Sequence, residues 1–154
     1  PSRSSRMPQG WRTGEMDLLL RIIDAGEVLV DVIPFAHLDL PDEYAAIRLH
    51  FSPTVLCIYV DPDDDSLHLS TSVPPETTPL PSLAGREPWN LAIGRPILWT
   101  WRLVNHQGYS DGLQFAFCDR ERSRETVVIQ VIGKASMIEV SVVNRCGGTT
   151  TSRG

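Results

Sequence analysis

The densest cluster of groups that could do chemistry is the run Asp61–Asp65, DPDDD, with four carboxylates in five positions. Hard cations such as calcium need clustered carboxylate oxygens, and the aspartates at 61, 63 and 65 alternate as in a calcium loop. That loop also needs glycine at its sixth position and glutamate at its twelfth, where this chain has Ser66 and Ser72. Because aspartate favours tight turns, the sequence predicts a hairpin turn here and no metal site.

The histidines offer a second route to chemistry. Nucleophilic catalysis needs a histidine beside an activated serine or cysteine, with a third group that orients the ring. The chain has no G-x-S-x-G nucleophile elbow, and His50 and His68 fall at outward strand positions, where a solvated side chain is usual. A small hydrolase or metal-dependent enzyme that uses His50, His68 and the Asp61–Asp65 turn is therefore the alternative hypothesis. The leading one is a non-enzymatic protein, and no cofactor is predicted.

The most distinctive stretch is the loop Asn105–Gly112, NHQGYSDG. Its two glycines supply positive φ, and Asn105 and Asp111 can bond nearby backbone amides, so turn formation accounts for much of it. Loops held on rigid strands also commonly carry binding, and this one adds a tyrosine and a histidine. The predicted binding residues are Arg102, Asn105, His106, Gln107, Tyr109 and Asp111.

The elements that must position these residues are mainly strands. Residues 1–13 are expected to be disordered and residues 146–154 to form a flexible tail, with a single domain between them at residues 14–145. A helix is predicted over GEMDLLLRIIDAG, because its apolar residues recur at helical spacing and Gly26 can end it. The remaining patterns alternate as β-strands do, apart from a loop predicted at residues 36–43, AHLDLPDE, and a short helical turn near PWNLAIG. The fold class is therefore α+β, mainly an antiparallel meander.

An internal duplication is a further prediction. Residues 15–72 and 88–143 both run through a short helix and four strands, and the proline-rich residues 73–87 connect them. Two such halves would either share one core or form one continuous sheet. The apolar strand faces would supply the core, and they include Trp99, Trp101, Leu113, Phe115, Phe117, Ile129 and Val140.

Charge and cysteine usage limit the function classes. Residues 15–76 carry 13 acidic residues and two arginines, whereas residues 77–154 carry nine basic and six acidic ones. This asymmetry argues against a nucleic-acid surface and is compatible with a basic protein partner. The arginines of residues 120–124 are predicted to be a solvated loop tip. Three widely spaced cysteines indicate neither a disulfide framework nor a zinc site, and favour a reducing, cytoplasmic setting. Cys57 and Cys118 fall inside strand patterns and are predicted to be small buried residues.

The hairpin motif W-x-W-x-L-x-N-x-Q-G-Y-x-D-G over residues 99–112 resembles that of a family of small bacterial proteins, a domain of unknown function. The turn after Val60 and the strand start at Ala135-Ser136 extend the likeness over roughly residues 15–145. The resemblance implies no established activity, cofactor or catalytic residue. The family is similar in size and composition to bacterial toxin-neutralising, immunity-type proteins.

The leading expectation is thus a cytoplasmic protein-binding module without enzymatic activity, with an immunity-like role as its most specific form. No membrane partner is expected, because the chain has no long apolar run. No nucleic-acid partner is expected either, because positive charge is not clustered. The sequence leaves a monomer and a homodimer open.

Overall fold

Helix α1 spans Glu15–Asp24 in the computed structural model, which describes residues 14–145. Leu18, Leu19, Ile22 and Ile23 form its buried face, and Gly26 follows it with φ of +66°, a conformation that favours glycine. The predicted helix and its glycine stop are confirmed. The predicted disordered segment 1–13 and tail 146–154 lie outside the described residues.

Five antiparallel strands form the first sheet, in the order β4-β3-β2-β1-β5. They are β1 Leu29–His37, β2 Leu40–Phe51, β3 Val55–Val60, β4 Leu67–Ser70 and β5 Thr77–Pro79. The predicted loop over residues 36–43 is wrong: only two residues separate β1 from β2, and Ala36 pairs with Tyr44. Within the connector 73–87, β5 pairs with β1.

Four antiparallel strands form the second sheet, in the order β6-β7-β8-β9. They are β6 Ile97–Val104, β7 Ser110–Cys118, β8 Glu125–Lys134 and β9 Met137–Arg145, and a 3-10 turn at Trp89–Leu91 precedes them. The fold class is confirmed, since one helix and one short helical turn accompany two antiparallel sheets.

The two sheets share one core rather than forming one continuous sheet. Strand β2 contacts β9, and α1 contacts both β4 and β6, so the helix lies against strands of both sheets. Phe115 and Phe117 of β7 are fully buried in this core together with Leu19 of α1 and Ile47 of β2. Each half contains a four-strand antiparallel meander, whereas descent from a duplication stays a prediction.

Candidate functional site

Hydrogen bonds of the Asn105 side chain hold the Asn105–Gly112 loop in its turn. Asn105 Oδ1 accepts the N–H groups of Gln107 (2.9 Å) and Tyr109 (3.2 Å), and its amide nitrogen donates to Asp111 Oδ2 (3.3 Å). Gly108 has φ of +92°, which a residue with a side chain adopts at a cost. The predicted positive φ at Gly112 is wrong, because this residue lies within strand β7. Asn105 and Asp111 are therefore committed to shaping the turn.

The other predicted binding residues occupy different positions along the hairpin. His106 and Gln107 are exposed at the tip, and Tyr109 is half-buried. Arg102 lies on β6, directly across from Leu113. Their role in binding stays a prediction.

Trp99 and Trp101 contradict their predicted place in the core. Their side chains are 55% and 43% exposed. The reason is a register shift between Ile97 and Trp99, which leaves Ile97 buried opposite Phe117 and turns both tryptophans to the outer side of the sheet. A one-residue bulge of this kind exchanges the faces of every residue that follows it.

The tryptophans join a row of amide and hydroxyl side chains on that outer side. Trp101 pairs with Gln114, which pairs with Gln130, which pairs with Ser141. The Gln114 amide donates to Gln130 Oε1 at 2.7 Å, so these two amides satisfy part of each other's hydrogen bonding. We call Trp99, Trp101, Gln114, Gln130 and Ser141 the tryptophan face.

The two tryptophans of this face lie on an edge strand of their sheet. Strand β6 pairs with β7 on one side, and along Ile97–Val104 it pairs with no other strand of residues 14–145. An edge strand presents backbone donors and acceptors that another chain can pair with. The site therefore combines large aromatic surface, side-chain amides and an edge strand.

A second cluster links α1 to β4 and has the connectivity of a Ser-His-acid triad. Glu15 Oε2 lies 3.2 Å from His68 Nδ1, and His68 Nε2 lies 3.0 Å from Ser66 Oγ. Ser66 Oγ is nevertheless fully buried and donates to Asp64 Oδ1 at 2.6 Å. Because its one hydrogen is directed at Asp64, His68 is not placed to deprotonate it.

This cluster is suited to holding α1 on the first sheet. The buried Glu15 carboxylate also accepts the Leu69 N–H at 2.9 Å, which satisfies a backbone donor of the edge strand β4. Burial opposes ionisation of Asp64, but hydrogen bonds from Ser66 outweigh it and lower the pKa of this carboxyl. No sequence pattern indicated that Glu15 would contact His68 and Leu69.

His50 does not join this cluster. It pairs with Val55 at one end of β2 and β3, whereas His68 pairs with Tyr59 towards the other end. Its Nε2 accepts a hydrogen bond from Arg48 at 2.8 Å. Burial, and then the neighbouring Arg48, lower the pKa of His50.

The Asp61–Asp65 segment forms the predicted turn, with carboxylates that bond backbone amides. Asp61 Oδ1 accepts the Asp63 N–H at 2.9 Å. The Asp65 carboxylate accepts the N–H groups of Ala135 and Ser136 in the turn between β8 and β9, so it fastens one sheet to the other. No group of three metal-ligating side chains within residues 14–145 is arranged to hold an ion.

Cys57 and Cys118 are free, buried thiols, in agreement with their predicted role as small core residues. Burial raises the pKa of the Cys57 thiol to about 11, with Arg48 opposing the rise. Burial also raises the pKa of Cys118. Cys146 lies outside the part of the chain that the structure describes.

Comparison with known proteins settles the family. A family model matches residues 16–147. The chain belongs to DUF6334, a family of unknown function. No curated protein and no solved structure matches this DUF6334 chain. The resemblance predicted from the hairpin motif, to a domain of unknown function, is confirmed, and among residues 14–145 no helix has the length and apolarity of a membrane span.

Proposed function

We propose that this DUF6334 chain is a non-enzymatic protein-binding module and that the tryptophan face is its docking surface. The observation that carries the proposal is the exposure of Trp99 and Trp101, 55% and 43%, side by side on an edge strand. Tryptophan is enriched among the residues that contribute most to protein–protein affinity. Among residues 14–145 of this family member, the two largest exposed apolar side chains are therefore placed where a partner can cover them.

The exposed area of the two tryptophan rings is large enough to contribute substantially to binding energy. A tryptophan side chain offers up to about 250 Å², so half-exposed rings leave roughly 120 Å² each in water. At about 25 cal/mol per Å², covering both rings contributes up to about 6 kcal/mol of gross binding energy.

The occupant we infer is an extended segment of another protein. The edge of β6 can pair with a peptide backbone, the tryptophans cover its apolar side chains, and the Gln114–Gln130 pair can meet its polar groups. The most specific form of the proposal is an immunity-type role in a bacterial cytoplasm, where the partner is a toxin domain. Buried, unpaired Cys57 and Cys118 support the reducing compartment.

The acidic surplus of the chain lies on a different part of the surface from the tryptophan face. It lies in residues 15–76, which form α1 and the strands β1 to β4. The tryptophan face belongs to the second sheet. A basic partner, as the whole-chain charge favours, would therefore meet the first sheet rather than this face.

Photo-cross-linking in the native host tests the docking surface. A photoreactive phenylalanine at position 101 should cross-link one partner protein, identified by mass spectrometry, whose purified form then binds the unlabelled chain. The matched control carries the same group at Leu38, which is 64% exposed on the first sheet. The same cross-links from both positions, or none from position 101, would refute the proposal. A cross-link between two copies of the chain would replace it with a homodimer.

A further inference from the structure

A cavity of about 330 Å³ lies where the turn after α1 meets the turn between β7 and β8. Its walls combine apolar and cationic groups. They are Gly26, Val28, Pro96, Arg120 and Arg122. Two guanidinium groups beside an apolar wall suit a planar anion, because guanidinium donors match carboxylate oxygens in pairs.

The charges of these two arginines are not balanced by ion pairs. Neither Arg120 nor Arg122 forms a salt bridge within residues 14–145. Glu121, which lies between the two arginines in sequence, forms no salt bridge with either of them. In the same turn, Asp119 accepts the N–H and hydroxyl groups of Ser123 (both 2.9 Å). Those backbone and side-chain hydrogen bonds, with help from Arg124, lower the pKa of Asp119 and keep it ionised within the turn.

Arg122 lies in a tight turn, and its guanidinium is close to Gly26 on the other side of the cavity. Arg122 has φ of +58°, and its N–H donates to Asp119 O at 2.9 Å. The left-handed conformation is unfavourable for a non-glycine residue, so the turn retains strain at a residue that lines the cavity. Gly26 lies on the other side, and a Cβ there would be 3.7 Å from the Arg122 guanidinium. The C-terminal end of α1 contributes a partial negative charge that favours this position but offsets only part of two full charges.

The cavity adjoins the start of the docking strand. Pro96, in its wall, bridges to Val28 and immediately precedes β6. Trp99 is three residues further along, and an extended chain advances about 3.3 Å per residue. A segment of about six residues along β6 therefore reaches from the cavity to Trp101.

We propose that the cavity formed by Arg120, Arg122, Pro96 and Val28 binds a carboxylate side chain of an acidic segment in the partner protein. This rests on the proposed docking of that partner along β6, and it adds the partner's charge and direction. The segment places its acidic residue at the beginning of β6 and its apolar residues over the tryptophans. The second sheet thus selects an acidic segment.

The test uses the whole chain and polyglutamate of about 20 residues as the probe, measured by isothermal titration at low ionic strength. The double variant Arg120→Gln/Arg122→Gln should bind polyglutamate at least about tenfold more weakly than the wild type. The control variant Arg21→Gln/Arg86→Gln removes the same charge from exposed arginines outside the cavity and should stay within about twofold.

Three outcomes would overturn the proposal: no binding of polyglutamate, equal weakening in both variants, or inorganic phosphate binding the cavity as tightly as polyglutamate. Partner binding that survives Trp99→Ser/Trp101→Ser, with polyglutamate binding lost in the arginine variant, would refute the tryptophan face and leave the cavity standing. The reverse pattern would refute the cavity alone.

Discussion

Replacing Glu15 tests whether the buried carboxylate holds α1 on the first sheet. Glu15→Ala leaves the Leu69 N–H without its 2.9 Å acceptor and His68 without its 3.2 Å partner. A buried hydrogen bond to a charged group contributes about 1.5–3 kcal/mol, and the weaker contact to a half-buried histidine adds up to about 1 kcal/mol. We therefore expect the free energy of unfolding to fall by about 2–4 kcal/mol, a large part of the total for a domain of this size.

Urea unfolding followed by circular dichroism measures this loss. The control is Asp17→Ala, which removes an exposed carboxylate from the same helical turn and should cost less than about 1 kcal/mol. Glu15→Gln keeps an acceptor for Leu69 and should fall between the two. A double-mutant cycle with His68→Gln should show a coupling of about 1 kcal/mol. Equal losses in Glu15→Ala and Asp17→Ala would refute the linking role of Glu15.

The remaining predictions concern packing, pH and thiol chemistry. Gly133→Ala should lower the free energy of unfolding by about 1–3 kcal/mol, because its Cβ would lie 2.5 Å from the Asp65 carbonyl oxygen. Gly85→Ala, with no atom within 4 Å of its Cβ, should change it by less than about 0.5 kcal/mol in the same urea assay; equal effects would contradict the sheet contact. The lowered pKa of His50 means that its contribution to stability is complete above the ordinary value of 6.5 and is lost as pH falls towards the folded pKa. Unfolding at pH 7.5 and 5.5 should therefore show a smaller stability loss in His50→Gln than in the wild type, and an equal or larger loss would refute this. Cys57, with a pKa of about 11, should resist iodoacetamide at pH 8 until the chain is unfolded. Rapid labelling of Cys57 itself in the folded chain, located by peptide mapping, would contradict its burial.

The sequence predicted those features that follow from local periodicity. The apolar spacing in residues 14–26 predicted α1 and its glycine stop, and strand alternation predicted the antiparallel strands that dominate both halves. The aspartate turn at Asp61–Asp65 also follows from local chemistry, since its carboxylates bond nearby amides.

The docking surface depends on a bulge that no local pattern reveals. Alternation alone places Ile97, Trp99 and Trp101 on one face, and all three would then be buried. The register shift after Ile97 results from pairing with β7, so it becomes visible only when the partner strand is known. The same kind of shift in β1 places Leu29 and Val32 on the same buried side and leaves Val30 exposed.

Contacts between distant segments were beyond prediction for a related reason. Glu15 and His68 are 53 positions apart, and Asp65 meets the turn at Ala135 across the two sheets. Arg122 reaches Gly26 only because the β7–β8 turn packs beside the end of α1. Each pair depends on how the sheets stack, which no local sequence pattern reveals.

The affinity of the purified, cross-linked partner for Trp99→Ser/Trp101→Ser tests the central claim most directly. Each tryptophan should contribute at least about 2 kcal/mol, so the dissociation constant of the double variant should rise by several hundredfold or more. The control Leu38→Ser/Leu40→Ser removes two exposed apolar side chains from the first sheet and should bind within about threefold of the wild type. Both variants should keep wild-type thermal unfolding within a few degrees, because the replaced side chains are exposed. Unchanged affinity in the folded tryptophan variant, or an equal loss in the control, would contradict docking on the tryptophan face.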